Sequence, residues 1–172
     1  MLLYFEKFKD LDFRQLMDIY EESNLENGNE MYHFVSDNLK LLYAEQSFYQ
    51  YLSECFFPTA GAKYAVWLEE ERYVSALRLE PYQDGLLIEG LETRPDMRNR
   101  GFAKKLLFSV RASTGETPLY SHVAKKNLAS VRTHLSCGFD HLLEYAIYAD
   151  GSVLQNCCTF CYRHRSERKD LR

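Results

Sequence analysis

The apolar residues along this chain recur with two different periods, and each period predicts one kind of secondary structure. Alternating apolar and polar residues predict strands, whereas apolar residues three or four positions apart predict helices with one buried face. The predicted strands are Leu2–Phe8, Lys63–Glu69, Tyr73–Leu79, Leu86–Thr93, Leu119–Ala124 and a final hairpin that starts at Phe139, turns at Asp150–Gly151 and returns over Val153–Tyr162.

Helices are predicted between these strands. Asp10 or Asp12 is suited to cap the first helix, because a short carboxylate accepts hydrogen bonds from the free amides of a first turn. The expected buried residues of this helix are Phe13, Leu16, Met17 and Tyr20, and Ser23–Asn29 is expected to end it. A second stretch, one helix or two broken near Asn38, has an expected buried face of Met31, Phe34, Val35, Leu41, Leu42, Phe48, Tyr49 and Leu52. Two more helices begin near Gly101 and at Asn127.

The order of these elements predicts the fold class and the number of domains. Strand, helices, three strands, helix, strand, helix and hairpin indicate an α/β or α+β fold, with helices on both faces of one sheet. No internal repeat or long linker divides the 172 residues. A single domain is therefore expected over 1–172, with 164–172 as a short charged tail that frays.

Composition narrows the classes of protein. A hydrophobic content of 46% indicates a packed globule, and no apolar run reaches the length of a membrane span. The net charge of −4 disfavours a nucleic-acid partner, and the N-terminus lacks a secretion signal, so a cytoplasmic protein is expected. Five cysteines are expected to be free thiols, and their spacing to the histidines predicts no metal site.

The turn between the strand Leu86–Thr93 and the following helix has the composition of an anion-binding site. Pro95 ends the strand, and Gly101 lets a ligand approach the unpaired amides at the helix start. Arg98 and Arg100 add positive charge suited to phosphate oxygens. The same residues also suit an ordinary turn with two solvated arginines, so this motif alone leaves both interpretations open.

Three segments together resemble the GNAT acetyltransferase superfamily. The pattern Arg98-x-x-Gly101-x-Ala103 is similar to that family's acetyl-coenzyme A loop, and Leu91-x-Thr93-x-Pro95 to its pantetheine strand. Downstream, Asn127-x-x-Ser130-x-x-x-His134-x-x-x-Gly138-Phe139 resembles its second cofactor segment. The resemblance covers 74–162, and the first half of the chain carries no matching motif.

The resemblance implies a mixed, mostly antiparallel sheet whose central strands, ending at Thr93 and beginning at Leu119, splay apart to admit acetyl-coenzyme A. The residues implied for cofactor binding are Leu91, Glu92, Thr93, Arg98, Asn99, Arg100, Gly101, Phe102, Ala103, Asn127 and Ser130. No metal is implied. The expected reaction is direct acetyl transfer to a primary amine of a small molecule or an exposed amino group.

Two residues are candidates for proton transfer in such a reaction. Glu89, expected to share a strand face with Leu87, Leu91 and Thr93, is the candidate base, and Glu92, expected on the opposite face, is its competitor. His134 takes the position of the family's usual tyrosine, so it either protonates the departing thiolate or only packs beside the cofactor. His122 and its neighbour Tyr120 have weaker claims, His122 as a proton relay on the acceptor side.

Two further questions stay open in the sequence. A coenzyme A-binding regulatory module without turnover is the main alternative to an enzyme, and a phosphate-binding domain unrelated to acyl transfer is a more distant one. Cationic acceptors are weakly favoured by the net charge and by four acidic residues on the presumed acceptor helices, Asp18, Glu21, Glu22 and Glu30. The oligomeric state, including a homodimer, is left undecided.

Overall fold

Nine strands and four α-helices follow one another along residues 1–164, the part of the chain that the computed structural model describes. The strands are β1 (Leu2–Phe5), β2 (Lys63–Glu69), β3 (Arg72–Tyr82), β4 (Gly85–Thr93), β5 (Leu119–Ala124), β6 (Asp140–Leu143), β7 (Ala146–Ile147), β8 (Val153–Leu154) and β9 (Cys157–Tyr162). The helices are α1 (Phe13–Met31), α2 (Asp37–Tyr51), α3 (Phe102–Thr114) and α4 (Leu128–Ser136). Of the predicted tail, all but His164 lies outside the described residues.

The described residues contain one seven-stranded sheet, in the order β1-β2-β3-β4-β5-β9-β6, and a separate β7-β8 hairpin. Neighbouring strands of the sheet are antiparallel except β4 and β5, which are parallel. This parallel pair is joined only from Leu86–Ile88 to Leu119–Ser121, and beyond that point the two strands are not paired. The predicted mixed sheet with a splayed central pair is therefore confirmed.

Each face of the sheet is covered by helices because each has its own apolar residues to bury. On one face, Leu106 and Val110 of α3 pack with Leu77 of β3. On the other, Leu16 and Ile19 of α1 lie in a cluster with sheet residues and with the π-helical turn Leu52–Phe56 that follows α2. The prediction of helices on both faces is confirmed.

The first helix is longer than predicted. Asp12 caps it as expected, its Oδ1 accepting a hydrogen bond of 3.1 Å from the amide of Gln15. The helix does not end at 23–29 but continues to Met31. Gly28 is needed there for close packing, since a Cβ on it would lie 2.7 Å from the carbonyl oxygen of Lys40 in α2. The glycine that suggested a helix end instead serves a contact between two helices.

The prediction for the second helical stretch is partly wrong. An α-helix begins only at Asp37, and Met31, Phe34, Leu42 and Tyr49 of the expected buried face are exposed, Phe34 by 75%. Met31 is the last residue of α1, and Phe34 lies in the connection before α2. Leu42 and Tyr49 are exposed because α2 packs mainly on α1, which itself makes the contacts with β3 and β4. Two strands are also shorter than predicted, because β1 ends at Phe5 and the segment after Phe139 is divided into β6 and β7.

A bulge in β4 changes which residues share a face. Glu89 pairs with Arg78 and Glu92 with Ala76, so Gly90 and Leu91 together oppose one residue of β3. Gly90 has φ +57°, the left-handed conformation that such a bulge requires. Glu89 and Glu92 consequently both face α1, while Leu91 packs against the cluster on the α3 side. The expectation that the two glutamates lie on opposite faces, with Leu91 beside Glu89, was wrong because strict alternation fails at the bulge.

Candidate active site

A cleft of about 800 Å³ opens where β4 and β5 separate. Its walls come from α1, β4, the turn before α3, β5 and α4. It is lined by all but one of the residues implied for cofactor binding, namely Leu91, Glu92, Thr93, Arg98, Asn99, Gly101, Phe102, Ala103, Asn127 and Ser130. Arg100 does not line the cleft; one of its Nη atoms donates to the carbonyl oxygen of Asp96 at 3.2 Å. The fold thus brings the three matched sequence segments to one place.

The start of α3 is shaped to receive an anion. Gly101 precedes the helix with φ +80°, and a Cβ on it would meet no atom within 4 Å. The first amides of α3 have no acceptors within the helix, and they carry the positive end of its dipole. Open space therefore lies directly beside free hydrogen-bond donors.

Arg98 is held by two contacts at the mouth of this space. Its Nε donates to the carbonyl oxygen of Thr93 at 3.2 Å, and its guanidinium forms an ion pair with Glu22 of α1. The neighbouring Arg94 similarly pairs with Asp18 of α1 at 3.0 Å. Two of the four acidic residues that favoured a cationic acceptor are thus already paired with arginines.

Three carboxylates and one serine line the α1 side of the cleft, and two of these residues, Ser23 and Glu26, are not site candidates in the sequence. Glu22, Ser23 and Glu26 line the cleft from α1, opposite Glu92 of β4. Glu22 and Glu26 are four residues apart, so a helix places them on one face. The spacing alone predicts that the two glutamates share a helix face. That this face lines a cleft follows only from the position of α1 in the structure.

The two glutamates of β4 have different surroundings. Glu89 lies 3.7 Å from the guanidinium of Arg78, a mostly buried arginine, and does not line the cleft. Glu92 lines it, and burial raises the pKa of Glu92 to about 7, an effect that Ser23 and the nearby Arg98 oppose. Glu92 can therefore exchange a proton near neutral pH, whereas Glu89 balances a buried positive charge.

We expect Glu92→Gln to stabilise the protein at pH 8 by about 2 kcal/mol, since one pKa unit corresponds to about 1.4 kcal/mol and partial solvent contact reduces the effect. The native pKa lies above the unfolded value, so wild-type stability decreases as pH rises from 4.5 to about 7. The gain should vanish as the pH falls toward 4.5. Denaturant unfolding at the two pH values measures it, and an equal gain at both would contradict the raised pKa.

His134 is a buried ring with one free nitrogen. It is 1% exposed, stacks on Phe160 and meets the edge of Phe139. Its Nδ1 lies 2.9 Å from the carbonyl oxygen of Ser130, which can only accept, so Nδ1 carries the hydrogen. Nε2 is buried without a partner among residues 1–164, and the ring lines the cleft. Burial lowers the pKa of His134, although the Ser130 contact opposes this, so the neutral ring presents a lone pair.

His122 of β5 lines the same cleft on the α1 side. Its ring is met edge-on by Tyr82 of β3 and by Tyr148 of the turn between β7 and β8, with centroid distances of 5.4 and 5.0 Å. Both ring nitrogens are buried without a hydrogen-bond partner in the described part of the chain. Tyr120, the other weaker candidate, is buried and bonds to Asp84 and Arg163 instead of lining the cleft.

Neither a metal site nor a membrane span is found within residues 1–164. No group of three or more His, Cys, Asp or Glu residues there could hold a metal ion. No described helix is both long and apolar enough to cross a membrane. All five cysteines are free thiols, as expected.

The splayed strand pair, the glycine before α3 and the cleft between them define an acetyltransferase-type domain. A family model described as the acetyltransferase (GNAT) family matches residues 14–139. The chain belongs to this family, and the resemblance noted in the sequence is confirmed. The match also includes α1 and α2, where the sequence offered no motif.

Solved structures share the fold at low sequence identity. An N-acetyltransferase from Staphylococcus aureus Mu50 is 14% identical, with a TM-score of 0.63 over 92% of this chain and 98% of that one. The PaiA N-acetyltransferase from Thermoplasma acidophilum, in complex with coenzyme A, is 10% identical, with a TM-score of 0.59 over 95% and 99%. The IAA acetyltransferase from Bacillus cereus ATCC 14579 is 11% identical, with a TM-score of 0.57 over 95% and 99%. No curated protein matches the chain by sequence.

Proposed function

We propose that this protein is an N-acetyltransferase that moves an acetyl group directly from acetyl-coenzyme A to a primary amine. The observation that carries the proposal is one continuous cleft, which joins the open anion site at Gly101 to the gap between β4 and β5 and to the carboxylates of α1. The Thermoplasma acidophilum relative of the same fold holds coenzyme A, which supports the assignment.

The residues present fit the acetyl donor. The amides at the start of α3 and the guanidinium of Arg98 would hold its pyrophosphate, and the unpaired edge of β4 at 91–93 would bond the pantetheine amides. When bound, the donor supplies a thioester, an acetyl group already activated toward amines. His134 lines the same cleft and has a buried Nε2 without a partner among the described residues, and we propose it as the group that, once protonated, returns a proton to sulfur.

The acceptor is proposed to be cationic. Glu26 and Glu92 line the cleft without an ion-pair partner among the described residues, whereas Glu22 is already paired with Arg98. We expect spermidine and tyramine to be acetylated in preference to glutamate, and Glu26→Gln to raise the KM for spermidine several-fold. The readout is thiol release across these three amines. Turnover of glutamate alone would contradict the charge argument.

A binding experiment and a turnover experiment together test the proposal. Acetyl-coenzyme A and coenzyme A should raise the melting temperature of the protein, whereas ATP, which lacks pantetheine, should do so far less. Thiol release should then depend on the added amine. Stabilisation by coenzyme A without turnover of any amine would favour a regulatory module, and equal stabilisation by ATP would favour a general phosphate-binding domain.

A further inference from the structure

We infer that His122 is the base that takes the proton from the acceptor amine. The inference rests on the proposed acetyl transfer and assigns one further residue to it. Three observations carry it: the position of the ring in the cleft, the absence of partners for its nitrogens, and the way its neighbours hold it.

The position of His122 follows from the register of the splayed strands. The last paired residues of β4 and β5 are Ile88 and Ser121, so His122 is the first residue of β5 beyond the closed end of the gap. Its neighbours Ser121 and Val123 also line the cleft. Across the sheet His122 pairs with Thr159 of β9, and its side chain lies on the face that α1 covers, with Tyr82 and Tyr120. A group at this place contacts the cleft from the side of Glu26 and Glu92, opposite α3 and α4.

The ring nitrogens need a partner that the protein does not supply. A neutral imidazole always has one donor and one acceptor, and leaving both buried without hydrogen bonds is unfavourable. Tyr82 does not satisfy them, because its hydroxyl donates to the carbonyl oxygen of Ile147. Among residues 1–164, no side chain or carbonyl bonds to either nitrogen. A ligand amine that reaches the ring from the cleft, directly or through one water, would satisfy the acceptor nitrogen.

The surroundings keep the ring neutral and fixed. Tyr82 and Tyr148 confine it edge-on from two elements, so its orientation is set before a ligand arrives. Burial lowers the pKa of His122 below the ordinary 6.5. The titratable groups that face the ring are Tyr82 and Tyr148, and Glu89 of β4 lies near Tyr148. Glu89 is less suited to the same task because its charge is paired with that of Arg78. The neutral imidazole is therefore one proton acceptor on the side of the cleft that also holds the carboxylates of Glu26 and Glu92.

The reaction then balances without another reagent. The ammonium form of the acceptor gives one proton to His122 and becomes a free amine. The amine nitrogen forms a bond to the acetyl carbon, and the carbon–sulfur bond breaks with its electron pair on sulfur. A second proton from the nitrogen reaches sulfur, through His134 in the proposed mechanism, and the imidazolium of His122 returns its proton to water.

The test compares His122→Phe with His141→Phe and Glu89→Gln. Phenylalanine keeps the edge contacts of a ring but removes the nitrogens, and His141 is an exposed histidine of β6 outside the cleft. We expect His122→Phe to lower kcat/KM for the best amine of the panel by about a hundredfold at pH 7.5 and to remove the decrease in rate at low pH. The His141 variant should match the wild type, and Glu89→Gln should lose less activity than His122→Phe.

A second readout requires no turnover. Because the phenyl ring needs no hydrogen bond, the melting temperature of free His122→Phe should be equal to or above that of the wild type, with an unchanged Kd for coenzyme A. A wild type that acetylates no amine would overturn the proposed function itself. An active wild type with His122→Phe within twofold of it, or a His122→Phe protein that melts at least 5 °C lower and binds coenzyme A more weakly, would overturn only the role of His122.

Discussion

Replacement of Gly101 by valine should weaken the binding of acetyl-coenzyme A by at least about a hundredfold while the fold survives. A β-branched side chain would occupy the open space beside the first amides of α3, where a Cβ meets no protein atom. The pyrophosphate would then lose its close approach to those donors, and a tenfold change in affinity corresponds to about 1.4 kcal/mol. Isothermal titration with coenzyme A measures the loss.

The chain offers a matched control at the other end of the same helix. Gly115 also has a positive φ, and a Cβ on it likewise meets nothing within 4 Å, but it does not line the cleft. Gly115→Val therefore carries backbone strain without blocking the anion site, and it should lose stability but keep its affinity for coenzyme A. Tight binding by Gly101→Val would refute the assignment of the anion site.

Replacement of His134 by phenylalanine should lower kcat by about a hundredfold or more with little change in the affinity for coenzyme A. Phenylalanine retains the stack on Phe160 and the edge contact with Phe139, so the variant removes the nitrogens and keeps the packing. Single-turnover measurement at saturating acetyl-coenzyme A isolates the chemical step. A parent-like rate in that experiment would leave His134 as a packing residue.

The pH dependence adds a second criterion for His134. A proton donor acts in its protonated form, and burial lowers the pKa of this imidazole below 6.5, so its contribution should decrease as the pH rises. Tyrosine, with an ordinary pKa of about 10, remains protonated across the neutral range. His134→Tyr should therefore retain much of the rate and shift its alkaline decrease to higher pH. An unchanged profile would argue against proton donation at this position.

Much of the fold could be predicted because local chemistry agrees with the final structure. Asp12 and Asn127 cap their helices as expected, and β2 and β5 have the predicted bounds. Residue spacing also indicated the three segments that line the cleft, since a glycine before a helix is a local feature. These predictions needed no knowledge of distant contacts.

The failures concern features that depend on tertiary contacts. Gly28 could be taken for a helix end because the backbone of Lys40, which lies against it, is remote in sequence. The exposure of Leu42 follows from the packing of α2 on α1, which periodicity does not show. The sequence likewise gives His122 only a weak claim to a catalytic role, because a histidine on an alternating strand does not indicate whether its ring nitrogens find hydrogen-bond partners.

The bulge at Gly90 divides β4 into two segments with opposite phase. Before it, odd-numbered residues such as Leu87 and Glu89 face α1; after it, odd-numbered Leu91 faces α3. If β4 alternated strictly through Gly90 without the bulge, the carboxylate of Glu92 would lie on the face of α3 instead. The left-handed conformation of one residue, Gly90, therefore decides which face of the sheet carries the carboxylate of Glu92.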